Sequence, residues 1–353
     1  MSITTAGDEL RFADETGRSL SYEIESWNPN GTSLVWVKLP SMKRSTEFTM
    51  YYGGTPSDTI DAHWTWSADY AGVWHMGEPS GTVADSSGNV LNAKPEGNDS
   101  ANQIAVDGVF CKSRQNARNT LNAFSGSSML TIGNSIMLDY GSDFTFTGWI
   151  RMTGNIGKAR IVCRNKDYSS APDWELAMTD YSTLVGSVGS SSSVSCTIPS
   201  AENAWVHVAG VFNGTTLIVY ANGSKVMQKT ITAVSDTDNK LVFGSIDPKY
   251  WQGHFVGCFD EFRLRDAVSS ADWVKAEYDQ SKGTFLGVGD ADARANYWYA
   301  LEKTTDLTKD FVVDASTWTK GSDLLAGDAE LVIKLGGTEP QAFYRVVVST
   351  TAP

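Results

Sequence analysis

From Val73 to Asp279 the chain breaks into short runs that read as β-strands, each closed by a cluster of Gly, Asn, Asp or Ser, and this rhythm constrains the fold more than any other feature. The runs include SMLTI, DFTFTGWIRM, RIVCRNK, WELAM, VSCTI, WVHVAGVF, TLIVYANG, LVFGS and FVGCFDEFRLR. Strands this short and frequent, with little helical periodicity between them, point to an antiparallel sandwich rather than a parallel α/β sheet. Asn222-Gly223, between TLIVY and KVMQK, predicts a tight hairpin, since a primed two-residue turn needs positive φ at both positions. One helix signal follows the last strand: Ser269 and Ser270 as cap candidates, then Trp273, Ala276 and Glu277.

The flanks are also β-rich. LRFADETGRSLSYEIESW alternates around a Glu-Thr-Gly turn, SLVWVKLP is ended by Pro40, and EFTMYYGGTP is ended by Gly-Gly and Pro. An aromatic cluster, HWTWSADY, follows at 63–70. A Gly- and Asp-rich stretch after residue 282 reads as a linker, and NYWYALEKT, ELVIKLGG and AFYRVVVS are strand signals beyond it.

Charge and composition exclude some partners. A net charge of −13 disfavours a nucleic-acid backbone, which is held by Lys and Arg. No apolar run approaches the ~20 residues of a membrane span, and the opening MSITTAGDELRFADETG has neither the basic end nor the apolar stretch of a signal peptide. The histidines are scattered, as are Cys111, Cys163, Cys196 and Cys258, so neither set has zinc-site spacing. The cysteines either bridge in an oxidising compartment or serve as small buried apolar residues.

Four elements, in order, resemble the laminin-G-like, concanavalin A-like jelly rolls of bacterial surface and secreted proteins: 85-DSSGN-89, 143-DFTFTGWI-150, 205-WVHVAGVF-212 with 217-LIVYANG-223, and 257-GCFDEFRLRDAVSSADW-273. Ala221 departs from the pattern, standing where the family often has Asp. The segments 10-LRF-12, 23-EIESW-27, 34-LVWVKLP-40, 50-MYYGG-54 and 73-VWHMGE-78 resemble a bacterial domain of uncharacterised function that often precedes such jelly rolls and usually starts further upstream, so a truncated copy is expected. The expected class is all-β, a concanavalin A-like jelly-roll sandwich flanked by smaller β modules. The expected parts are a module over 1–70, the jelly roll over 71–282, a linker over 283–295 and a small β module over 296–353.

The resemblance also raises chemical expectations. The family hosts glycoside hydrolases, whose retaining mechanism needs two carboxyl groups ~5–5.5 Å apart, on an acid-x-acid-x-x-acid strand in the hydrolase relatives. Asp260 and Glu261 are adjacent, so on a regular strand they point to opposite faces, and Glu23 and Glu25 alternate but lack a third acid. No enzyme is therefore expected. Some relatives hold a structural calcium near the first loop and the closing strand, which implies Asp85, Asn89 and Asp260 here; an Asx turn at Asp85 is the alternative. Glu261, Arg263 and Arg265 suggest a charge ladder along one face of the closing strand.

For export, Cys163–Cys196 and Cys111–Cys258 are the expected bridges, the second because early and closing strands pair in this family. Sugar-binding relatives use exposed rings, and the candidates are Tyr168, Trp174, Tyr181, Tyr250 and Trp251; the last two lie in 245-SIDPKYWQGH-254, where they either stack on a glycan or fold back on the sandwich. The expected function is a noncatalytic extracellular module that binds carbohydrate or a cell-surface glycan or protein, with a structural or adhesive segment of a larger bacterial surface protein as the second reading.

Overall fold

A computed structural model describes residues 7, 10–28, 32–41, 48–51, 62–97, 103–116, 128–133, 143–154, 157–165, 173–189, 193–231, 240–245 and 253–281, together with the segments 298–304, 312–313, 319–320 and 343–349. The chain forms two compact units, Met1–Lys282 and Gly283–Pro353.

The first unit contains two large antiparallel sheets. One runs in the order Ser224–Thr230, Thr216–Ala221, Val206–Asn213, Asp143–Gly154, Val256–Arg265, Lys112–Asn116 and Ile104–Asp107, with Tyr70–Trp74 also paired to Val256–Arg265. The other runs Ser193–Thr197, Thr183–Val188, Trp174–Met178, Ala159–Asn165, Lys240–Phe243, Met129–Ile132 and Lys94–Glu96. Strands consecutive in sequence pair in places, yet the closing strand Val256–Arg265 lies between early strands. That exchange is the all-β jelly-roll sandwich expected from the sequence.

Alternation explains the core. Phe144, Phe146, Ile150, Val208 and Phe212 from one sheet meet Trp174, Leu176, Leu184 and Phe243 from the other in one buried cluster. Ser193–Thr197 shows the simple edge pattern, with Val194 and Cys196 buried and its other residues exposed. Val206–Phe212 is instead buried without interruption, because its outer side is also covered. The helix Ala271–Gln280 lies there, packing Val274 on Ala209, Val211 and Tyr220. Ser270 caps this helix by accepting from the Trp273 amide at 3.1 Å. The Asn222-Gly223 turn forms with φ of 48° and 73°, joining Ala221 to Ser224 as the sequence predicts.

Near the N-terminus the Glu-Thr-Gly turn is present, with Gly17 at φ 81°. The chain pairs across it at Ala13 and Ser19, with the Asp14 amide donating to the Arg18 carbonyl and the Leu20 amide to that of Phe12; Arg11–Asp14 also pairs Phe48–Tyr51, and Tyr22–Ser26 pairs Leu34–Val37. In the second unit Trp298–Thr304 pairs antiparallel with Phe343–Ser349 over its full length and with the short strands Val312–Val313 and Thr319–Lys320. The ELVIKLGG signal lies outside the described residues.

The expected disulfides do not form, and all four cysteines are free thiols. Cys163 and Cys196 share a sheet, but two strands separate theirs. At ~4.8 Å per strand that is roughly 14 Å, twice the ~7 Å limit between bridged Cα atoms. Cys163 packs with Met129 and Val242, apart from the main core that holds Cys196, and its thiol donates to the Ser245 carbonyl at 3.1 Å. Cys258 is opposite Gln115, whereas Cys111 lies in the turn ahead of that strand; the Cys258 sulfur accepts from Arg151 at 3.4 Å.

One irregularity shapes the closing strand. Thr147 is opposite Arg263 and Trp149 opposite Asp260, so Gly148 alone faces both Glu261 and Phe262. This is a β-bulge, and Glu261 adopts a φ of 50° to make it. Phe259 and Phe262 both enter the core, so Asp260 and Glu261 both face outward. The opposite-face expectation for these two acids is thereby overturned. A Cβ on Gly148 would lie 2.3 Å from Cδ1 of Phe262, a ring packed against Phe146, Phe243 and Phe259. Gly148→Ala is therefore expected to lower stability by about 1–3 kcal/mol as an overpacking change. Gly133→Ala, with open space at its Cβ, should stay within about 0.5 kcal/mol; urea denaturation of both variants checks the contrast.

Acid sensitivity arises beneath the helix. His207 is buried edge-on to Trp149 at 5.2 Å and beside Tyr278. Burial depresses it to about 4, with Arg263 adding repulsion and Glu277 partly opposing. A depressed pKa means the unfolded chain takes the proton first, so this contribution is intact above pH 6.5 and is lost as pH falls toward 4. The loss amounts to about 2–3 kcal/mol at 1.36 kcal/mol per unit. Denaturation at pH 7 and pH 4.5 should show a smaller loss in His207→Phe than in the native chain by that margin.

Candidate functional site

Of the residues expected to hold calcium, Asp85 and Asn89 are engaged within the protein, and Asp260 is engaged through one of its two oxygens. Oδ1 of Asp85 accepts from the amides of Val73 and Ser87, both at 2.9 Å, and Oδ2 accepts from the Ser87 hydroxyl at 2.9 Å and the Leu91 amide at 2.8 Å. Four donors use a carboxylate's acceptor sites. Asp85 is thus the organiser of an Asx-type loop, and it does not fit as a cation ligand in this arrangement. Asn89 donates to the carbonyls of Tyr70 and Ala71. Oδ2 of Asp260 accepts from the amides of Val109 at 2.6 Å and Phe110 at 3.3 Å.

The aromatic candidates separate. Trp174 is a core residue, 2% exposed, with its ring 4.6 Å from Phe144, which removes it from any ligand surface. The WELAM run alternates so that this ring faces the opposite sheet. Tyr181 is half-buried and packs against the same core. Tyr168, Tyr250 and Trp251 lie outside the described residues. Both ends of the segment that carries Tyr250 and Trp251 rest on the strand Ala159–Asn165: the Ser245 carbonyl accepts from Cys163, and the Gly253 carbonyl accepts from the Arg160 amide at 3.0 Å. Nearby, Lys158, Arg160 and Ser187 converge on the buried Glu175, Arg160 at 2.9 Å and Ser187 at 3.0 Å.

Outward-facing Glu261 is the pivot of a larger cluster. Its Oε1 is 2.7 Å from Nδ1 of His75, on the paired strand's end, and its Oε2 accepts from Arg263 at 2.7 Å. The hairpin Tyr22–Ser26/Leu34–Val37 docks over this pair. It brings Glu25, whose Oε2 is 3.4 Å from the same Nδ1 of His75, and Glu23, whose Oε2 is 3.3 Å from Nε2. Indoles fix these carboxylates: Trp36 donates to Glu25 and Trp66 to Glu23, each at 2.6 Å, while the Ser86 hydroxyl holds the second oxygen of Glu23 at 2.6 Å. Trp36 stacks on His75 at 5.9 Å and meets Phe110 at 5.4 Å. The Arg263 guanidinium lies 4.6 Å from the Trp36 ring centre and 5.0 Å from that of Trp66. Of the expected ladder, Glu261 pairs with Arg263, whereas Arg265 turns to Asp69 and the Trp273 ring.

The electrostatics follow from burial against close partners. Burial and then the Glu261 charge push Glu25 up to about 8. Burial works the same way on Glu261, but His75 and Arg263 outweigh it and hold that carboxyl below its usual range. Burial would lower His75; Glu261, Glu23 and Glu25 reverse this and raise it well above 6.5. Asp260 is raised well above 3.8, first by burial and then by Glu261. A protonated Glu25 beside an ionised Glu261 has the charge pattern of an acid and base pair. The site is nevertheless sealed: the side chains of Glu25, His75 and Glu261 are 7%, 10% and 3% exposed.

Glu23 and Glu25 lack a third acid within their own strand, and Glu261 supplies it from the closing strand of a different sheet. His75 was the further residue missed. Its signal is its place in 73-VWHMGE-78, ahead of the loop that Glu23 reaches through Ser86.

Residues 124–275 match the model of the concanavalin A-like lectin/glucanases superfamily, and residues 6–70 match that of a domain of unknown function. No curated protein matches the sequence. Domain 4 of AbnA, an extracellular arabinanase from Geobacillus stearothermophilus in complex with arabinotriose, is 18% identical over 59% of this chain and 97% of that one, with a TM-score of 0.45. The binding domain of paraclostridial mosquitocidal protein 1 is 14% identical over 79% and 75%, with a TM-score of 0.46. The binding domain of botulinum neurotoxin DC in complex with SialylT is 14% identical over 61% and 52%, with a TM-score of 0.44. The ordered motifs and the family models agree that residues 124–275 form a concanavalin A-like domain, preceded at residues 6–70 by the uncharacterised domain.

Proposed function

We propose that the protein is a noncatalytic, extracellular binding module that recognises carbohydrate. The observation that carries the binding half is Trp64, which keeps 69% of its surface in water. Its short turn Ala62–Thr65 is fixed by Lys38, whose ammonium donates to the carbonyls of Trp64 at 2.9 Å and Trp66 at 3.3 Å. An indole held on a fixed backbone can stack on the apolar face of a sugar with little further ordering. The lectin/glucanase match at 124–275 supports the same ligand class. Trp251 is a second proposed ring, in a segment whose ends adjoin the Lys158, Arg160 and Glu175 network.

The noncatalytic half is supported by the tethering of the carboxylates. Among the described residues, Glu25 and Glu261 are sealed beneath Trp36, Glu175 is tied to Lys158 and Arg160, and Asp260 accepts two amides. A structural or adhesive segment is the second reading, favoured by the fusion of the N-terminal module and the jelly roll into one compact unit.

A glycan array, read together with reducing-sugar release from the same glycans, tests these readings. Selective retention without release is expected. Trp64→Ala should leave the melting temperature nearly unchanged and reduce retention at least tenfold; Trp251→Ala should act alike. No retention by the native chain would favour the structural segment, and release of reducing ends would overturn the noncatalytic assignment.

A further inference from the structure

We propose that Glu25, His75 and Glu261 form a binding site for a divalent transition metal of the zinc class, which clamps the N-terminal hairpin onto the jelly roll. Their ligand atoms lie within 4.8 Å of one another. The geometry at His75 is the main argument. Its Nδ1 faces two carboxylate oxygens at once, Glu261 Oε1 at 2.7 Å and Glu25 Oε2 at 3.4 Å. One ring nitrogen carries at most one proton, so that proton serves one of these oxygens; Glu25 Oε2 takes its hydrogen bond from the Trp36 indole and still faces the same nitrogen. A metal ion engages both carboxylates and the ring at once. With bonds of about 2.0–2.2 Å, tetrahedral ligand atoms stand roughly 3.3–3.5 Å apart, a spacing that the Glu25 contact with Nδ1 already has and that the Glu261 contact reaches by opening.

The surroundings have the organisation of a second ligand shell. The other ring nitrogen of His75 faces Glu23 at 3.3 Å, the carboxylate–histidine pairing that orients a metal-bound imidazole. Glu23 is itself held by Trp66 and Ser86, the free oxygen of Glu261 by Arg263, and Glu25 by Trp36. Asp260 adds an independent feature on the same face. It is fully buried, and its Oδ1 has no hydrogen-bond partner among the described residues, an acceptor that a metal-bound water would satisfy. An imidazole with carboxylates suits zinc-class ions, whereas calcium takes an all-oxygen shell. Three protein ligands leave a fourth position for water.

The experiment uses the whole chain stripped by a chelator, with Zn²⁺ alone as the probe. Isothermal titration should give one ion per chain, and the melting temperature should rise with Zn²⁺ and fall again with chelator. Co²⁺ in its place should give visible d–d bands without a thiolate charge-transfer band, which separates this site from the free cysteines. His75→Gln and Glu261→Gln should abolish uptake. Glu23→Gln should weaken it by about 10–100-fold, the usual effect of an outer-shell partner. Should His75→Gln fail to fold, the native cobalt spectrum and Glu23→Gln still decide. No stoichiometric uptake by the native chain, a thiolate band with cobalt, or affinity unchanged in the folded variants would each overturn the proposal, and none of these outcomes bears on glycan retention.

Discussion

The contact of Glu261 with His75 and Arg263 is the interaction on which the junction between the N-terminal module and the jelly roll depends. It exists because the closing strand bulges. Without the extra residue opposite Gly148, the pleat would turn Glu261 into the hydrophobic core. A non-glycine residue at positive φ costs of order 1–2 kcal/mol, and the surrounding pairing fixes it in place. Once outward, Glu261 is buried again, this time by the docked hairpin. Buried ion pairs contribute little net stability when intact, but breaking one costs about 3–5 kcal/mol because a charge is left alone. The cluster therefore acts on specificity: it admits a hairpin that supplies Glu23, Glu25, Trp36 and the adjacent Trp66, and penalises one that does not.

Aromatic rings and charges divide the work at this junction. Trp36 and Trp66 each donate an indole N–H to a carboxylate and offer a face to Arg263. Each ring thus satisfies an anion with its edge and a cation with its face, which lets a dense set of ionisable groups stay dry. On the other flank of the same sheet the helix Ala271–Gln280 does a simpler job, covering apolar side chains with Val274. With the helix and the hairpin in place, much of this sheet's outer face is closed to any ligand.

Strands, the Asn222-Gly223 turn and the Ser270 cap were legible in the sequence because each is a local property: alternation, positive φ and one side-chain oxygen. The Asp85 loop was half legible. Its residues fit an Asx turn or a cation equally well, and only the four donors around the carboxylate separate the two. The orientation of Asp260 and Glu261 was hidden, since a bulge is defined by its partner strand and no residue in FDEFRLR announces it. The pairing of Cys163 with Cys196 failed because Trp174–Met178 and Thr183–Val188 lie between their strands along the chain and stay between them in the sheet, each strand pairing with the next. Trp174 shows the same limit, because WELAM does not reveal which of its faces meets the opposite sheet. The cluster around His75 joins residues 186 apart in the case of His75 and Glu261, beyond the reach of any spacing rule.

The docked hairpin has a consequence for how such proteins are assembled. Two segments matched by separate family models would ordinarily be regarded as beads that evolution can restring at will. Here a jelly roll cut free at residue 70 would carry Glu261, His75 and Arg263 on an uncovered sheet, and a hairpin moved elsewhere would carry two acids with no counter-charge. Neither bead is finished without the other. The seam itself becomes the inherited unit, and recombination at this boundary is permitted only with a partner that carries the matching half of the lock.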